Sequence, residues 1–170
     1  MLEHYLTLAQ VRELTAMVVP VWFAPEVSAT EIAALLSVTL ADAEAVVPPD
    51  RLVVVIDGAQ TAAGVAAEVQ RAFAARAGAP FRLVVLEQNR GKGGAILAGL
   101  EALPPAPFTV VRDADGDHFV NDVPHLVRLA HQMATECAPK PILVIGRRGA
   151  VHPPLGWVRG EYELLLNDLV

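Results

Sequence analysis

A chain of 170 residues is long enough for one domain with a substantial core, and 54% hydrophobic against 5% aromatic content means that core must be built from Ala, Val and Leu. Thirteen basic and nineteen acidic residues leave a formal net charge of -6, which argues against a general nucleic-acid binder, a class that carries a basic face. No apolar run reaches the roughly 18 residues of a membrane span. The N-terminus lacks the basic-then-apolar pattern of a signal peptide, and Cys137 is the only cysteine, so a reducing, cytoplasmic location without an internal disulfide is expected.

Leu2, Leu6, Leu8, Val11 and Leu14 recur at helical spacing, so residues 1–15 are expected to form an added helix at the edge of a main domain spanning 16–170. Residues 16–23 read as a first strand that ends around Pro20 and Trp22. Ser28 and Glu31 then match a capping box, opening a helix to about Val46 that stops at Pro48 and Pro49. A second strand covers 51–57, with β-branched residues at every position from Val53 to Ile56. Thr61 is expected to cap a helix ending near Gly78 and Pro80. A third strand over 81–87 leads into the glycine-rich 88–94 and a helix from about Ala95 to Leu103. The fourth strand, 107–111, delivers Asp113, Asp115 and Asp117 into a loop, after which Asn121 or Asp122 caps a helix over 124–136. A fifth strand is expected at 141–146 and a last helix at 157–170.

Strands and helices alternate throughout, and the strands are continuously apolar. That pattern predicts an α/β fold of three layers, α/β/α, with a mostly parallel sheet buried on both faces. Ligands of such open sheets collect beyond the carboxyl ends of the strands. Pro20 and Trp22, Asp57, Asn89 to Lys92, Asp113 to Asp117, and Arg147 with Arg148 all fall at those ends.

Three carboxylates within five residues repel one another, and a loop that gathers them at a strand end calls for a cation. The plainer alternative is a solvated turn beside a helix cap. Asn89, Gly91 and Lys92, with further glycines at 93 and 94, suit a phosphate cradle at a helix start. This is not a Walker A loop, because Gly93 rather than Ser or Thr follows the lysine. Asp57, followed by Gly58, is read as either a hydrogen-bond acceptor for a nucleobase or ribose, or a cap for the next helix. An EF-hand fails: counting from Asp113, its glycine and glutamate positions hold His118 and Pro124. A serine triad has little support, since Ser28 and Ser37 are the only serines. His118 is the only histidine beside the aspartates and so the only candidate histidine ligand.

Taken in order, the spaced signals resemble a family 2 glycosyltransferase of the GT-A, Rossmann-like type, and most closely the polyprenyl-phosphate mannose or glucose synthases. The residues that carry the likeness are Pro20-Val-Trp-Phe-Ala, Asp57-Gly-Ala-Gln, Asn89-Arg-Gly-Lys-Gly-Gly-Ala95, Asp113-Ala-Asp115 and Leu143-Val-Ile-Gly-Arg-Arg148. Arg159 and Asn167 fall where the family has Arg and Asn on a following helix. The polar pair after the first strand is replaced by Phe23 and Ala24, and the second aspartate after strand two is missing.

The resemblance implies a nucleotide-diphospho-sugar donor, a UDP- or GDP-sugar, bound through Mg²⁺ or Mn²⁺ held by Asp113, Asp115 and Asp117. It implies donor contacts from Pro20, Trp22, Asp57, Asn89, Gly91, Lys92 and Arg148, and an acceptor that is a lipid phosphate or a saccharide. A general base is not found among these residues, and the chain reads as the donor-binding half of a transferase, with the acceptor half absent. Two alternatives remain: a phosphohydrolase of the haloacid dehalogenase type with Asp113 as nucleophile, and a catalytically silent nucleotide-sugar-binding domain.

Overall fold

The computed structural model describes residues 5–58, 66–67, 81–114, 118–137 and 142–144. The chain forms two compact units, Met1–Arg128 and Leu129–Val170. The first is an α/β unit in which α1 (Leu8–Leu14), β1 (Thr15–Val21), α2 (Ala29–Val46), β2 (Leu52–Asp57), β3 (Arg82–Leu86), α3 (Gly91–Ala102) and β4 (Phe108–Val111) follow in order. Helix α4 (Val123–Cys137) comes next. Among the described residues of the second unit, 129–137 are helical and 142–144 are irregular.

The four strands make one all-parallel sheet in the order β3-β2-β1-β4, compatible with a Rossmann-like fold. All of β2 and all but Pro20 of β1 are buried, because helices cover both faces of the sheet there. On one face Met17, Val19 and Val21 of β1 and Leu52, Val54 and Ile56 of β2 pack with Ile32, Leu36, Leu40 and Ala43 of α2. On the other, Val18, Val53 and Val55 meet Ala95 of α3. The odd-even division follows from strand alternation, and the spacing of Ile32, Leu36, Leu40 and Ala43 puts one helical stripe on the sheet. Each buried Val, Leu, Ile or Met among them stabilises the fold by about 1.5–3 kcal/mol through its burial. The outer strands β3 and β4 are only partly buried.

Helix α2 begins as its sequence specifies. Ser28 Oγ accepts from the Glu31 N–H at 3.3 Å, and the Glu31 carboxylate accepts from the Ser28 N–H at 3.0 Å. The Ser28 hydroxyl, and then its N–H, hold the Glu31 carboxyl below the ordinary glutamate pKa.

Several elements depart from expectation. Helix α1 is shorter than 1–15; it starts at Leu8 because Thr7 and Gln10 form their own capping box. That box has a local signature in the sequence, Thr-x-x-Gln. Helix α3 begins at Gly91, not Ala95, so the glycine-rich segment is its first turn rather than a loop. Neither Asn121 nor Asp122 is an extended cap: both lie in a 3-10 turn, Val120–Asp122, that runs directly into α4. Residues 142–144 carry no strand, and the rest of the expected 141–146 strand lies outside the described residues. The expected helices at 61–78, apart from 66–67, and at 157–170 also lie outside them. Among the described residues no helix is long and apolar enough to cross a membrane.

Candidate functional site

Strand order reverses between β1 and β4: the chain moves outward from β1 through β2 to β3, then returns to the opposite side for β4. Neighbouring loops diverge at such a switch point and leave a crevice at the carboxyl ends of the strands. Pro20 enforces the opening. Val18 turns its carbonyl toward β4, where it accepts from the Arg112 N–H at 3.0 Å. By strand alternation Pro20 faces the same side, yet the last β1–β4 pair is Val18 with Val111. The proline therefore has no N–H at the point where no partner strand remains to receive one.

A cleft of about 480 Å³ occupies this position. All four strand ends contribute: Pro20 and Trp22 after β1, Asp57 at the end of β2, Asn89, Gly91 and Lys92 after β3, and Asp113 after β4. Seven of the ten residues singled out in the sequence thus line one cleft. Arg148, Asp115 and Asp117 lie outside the described residues. Val21, Phe23, Ala95 and Ala114 supply apolar lining.

The β3–α3 side is organised by two short hydrogen bonds. Buried Asp57 accepts through Oδ1 from the Arg90 N–H at 2.7 Å, and Asn89 Oδ1 accepts from the Gly91 N–H at 2.8 Å. Asp57 thereby holds the chain just before α3 by accepting from the N–H of its N-cap residue, without being a side-chain cap of that helix. The start of the helix next in sequence, the one Asp57 is expected to cap in one of its two readings, lies outside the described residues. Gly91 takes φ of +73°, a left-handed conformation that glycine adopts without strain. The first turn of α3 then presents N–H groups that have no intrahelical acceptor, at the positive end of the helix dipole.

The β4 side is organised by Arg112, whose role the sequence reading missed. Its side chain is 4% exposed. Nη1 donates to the Thr39 carbonyl at 2.9 Å, while Nε and Nη2 donate to the His118 carbonyl at 3.3 and 3.1 Å. Thr39 Oγ1 in turn donates to the Ala114 carbonyl at 3.0 Å. Asp42, 3.6 Å from Nη2 and half-exposed, adds little. The aspartate loop is thereby tied to α2 at its first residues and to Arg112 at its far end. Only one local signal pointed to this arrangement: an arginine directly after an apolar strand, where the fork of donors needs buried acceptors. His118 itself is exposed and enters the site's framework through its backbone.

Across the cleft the Lys92 ammonium lies 2.7 Å from Asp113 Oδ2. A cation thus already sits on this carboxylate, and oxygen ligands of this kind suit Mg²⁺ or Mn²⁺. Among the described residues no three His, Cys, Asp or Glu side chains gather as a metal-binding group, and the remaining two aspartates of the loop lie outside those residues.

No family model matches the chain, and neither a curated protein nor a solved structure matches it.

Proposed function

We propose that the cleft binds the nucleotide diphosphate of a sugar donor, as the donor-binding part of a metal-dependent glycosyltransferase of the GT-A type. The observation that carries this reading is the convergence of Asp57, Asn89, Lys92 and Asp113, from three different strand ends, on one cleft at the switch point. It supports an anion site and a carboxylate site facing each other across that cleft, the pairing that a metal-bound diphosphate requires.

In this reading the first turn of α3 and the Lys92 ammonium hold the phosphates. Trp22, 59% exposed at the cleft, offers a flat face to the base, with Pro20 beside it. Asp57 has Oδ1 committed to Arg90, so its donor contact falls to Oδ2. Asp113, with Asp115 and Asp117, would hold Mg²⁺ or Mn²⁺, which would neutralise charge developing on the departing nucleotide. An acceptor, a lipid phosphate or a saccharide, would attack the anomeric carbon; none of the described residues is assigned as its general base.

The test is thermal unfolding with UDP or GDP, in Mn²⁺ and in EDTA, on wild type and Asp113→Asn. Ligand at one hundred times its dissociation constant should stabilise the wild type by about 2.7 kcal/mol, with the shift lost in EDTA and in the variant. Equal shifts with and without metal would count against the site. A stable phosphoryl adduct on Asp113 would replace this reading with the phosphohydrolase.

A further inference from the structure

We propose that Lys92 makes the cleft select a metal–diphosphate complex over a free divalent cation, by occupying the cation position on Asp113 until a diphosphate draws it away. The inference rests on the donor-binding reading and adds an order of binding to it.

The ammonium and Asp113 Oδ2 are 2.7 Å apart, a charge-assisted hydrogen bond between residues 21 positions apart in sequence. Mg²⁺ or Mn²⁺ binds a carboxylate oxygen at about 2.0–2.2 Å. A divalent ion on Oδ2 and an ammonium still bonded there would compete for the same oxygen and repel each other across a few ångströms. A bare metal ion on Oδ2 must evict Lys92 and leave it without its partner, and one on Oδ1 must bind within a few ångströms of the ammonium that stays. A metal–diphosphate complex evicts it too, but brings its own anionic oxygens to the first turn of α3, where Lys92 is rooted. The lysine then exchanges one oxyanion for another, so the penalty falls on the free ion alone.

The two partners differ in how readily they move. Lys92 has a 62% exposed side chain on a flexible four-carbon stem, so its ammonium can move through solvent. Asp113 is 24% exposed and sits between two anchored neighbours: Arg112, bonded through its N–H to Val18 and through its guanidinium to Thr39 and His118, and Ala114, bonded to Thr39. The carboxylate stays in place while the lysine swings.

The experiment is calorimetric titration of MnCl₂ alone, then of UDP and GDP in saturating MnCl₂, on wild type, Lys92→Met and Lys92→Arg. Lys92→Met should bind Mn²⁺ alone about two- to fivefold more tightly than wild type and the nucleotide–Mn²⁺ complex several-fold more weakly. Lys92→Arg, which keeps the charge, should stay near wild type in the Mn²⁺ titration. Opposite signs for the two ligands distinguish this exchange from simple loss of a phosphate contact, which would leave Mn²⁺ affinity unchanged. If wild type binds the nucleotide–Mn²⁺ complex but Lys92→Met shows no gain for Mn²⁺ alone, the inference is overturned and the donor site stands. If nucleotide binds no variant yet Mn²⁺ binds Lys92→Met more tightly, the exchange at Asp113 holds and the donor reading falls. Absence of both Mn²⁺ and nucleotide–Mn²⁺ binding in every variant overturns both.

Discussion

The two walls of the cleft are built on opposite principles. On the β4 side a buried guanidinium satisfies carbonyls of α2 and of the chain beyond the aspartates, so Asp113 projects from a backbone tied down on each flank. On the β3–α3 side the chain is glycine-rich and exposed, held by the Asp57–Arg90 and Asn89–Gly91 bonds, and its charged group ends a flexible stem. A carboxylate meant for a metal gains from being fixed, because ligand geometry is demanding. A phosphate cradle gains from backbone that an anion can approach closely, and there any side chain would be in the way. Rigidity and openness are thus assigned to different strand ends of one sheet.

The largest effect should come from breaking the fixed wall. Arg112→Met keeps much of the volume but leaves the Thr39 and His118 carbonyls without their donor, which should cost about 3 kcal/mol. Urea unfolding would measure it. If the wall matters for placement, residual nucleotide–Mn²⁺ affinity should fall further than the unfolded fraction explains. A loss below about 0.5 kcal/mol would mean that water replaces the guanidinium readily, and that the wall is not braced as described.

Next comes the seat of the open wall. A Cβ at Gly99 would lie 2.4 Å from Val18 Cγ1 and 3.1 Å from Val55 Cγ2, so α3 is seated on the sheet only because this residue has no side chain. Gly99→Ala gains helix propensity of about 1 kcal/mol but overpacks a central contact, for a net loss of about 1–2 kcal/mol. Thermal unfolding tests the sign. A stabilised variant would show that the helix lifts off the sheet at little cost.

The smallest effect concerns the start of α2, the helix that carries Thr39. The Glu31 carboxyl is held below its ordinary value by Ser28, so its folded pKa is lower than its unfolded one. Its contribution is fully present above the unfolded pKa and is lost as pH falls through the lowered folded value. Stability should therefore decline in this acidic window with a slope that Glu31→Gln reduces. An identical pH profile for Glu31→Gln would remove the capping carboxylate from the account.

Much of the fold was legible because its signals are local. Four apolar strands, the Ser28–Glu31 box and the Pro48-Pro49 stop each depend on residues within a few positions of one another, and each stands where the sequence put it. The candidate residues were also legible as types at strand ends. The start of α3 was not. Glycines have poor helix propensity, and Gly91 to Gly94 become helical only where Asn89 turns the chain, Asp57 holds the Arg90 N–H from another strand and the sheet supports the following residues.

The sequence by itself determined the parallel α/β character and which residues stand at the carboxyl ends of the strands, because alternation of elements and apolar runs are properties of neighbouring residues. Only the tertiary structure decided the order β3-β2-β1-β4, the crevice it opens beside Pro20, and the partners across it. Arg112 finds Thr39 from 73 positions away and Lys92 finds Asp113 from 21. Such pairs depend on which strands become neighbours, and that is settled by burying both faces of the sheet at once rather than by any local pattern.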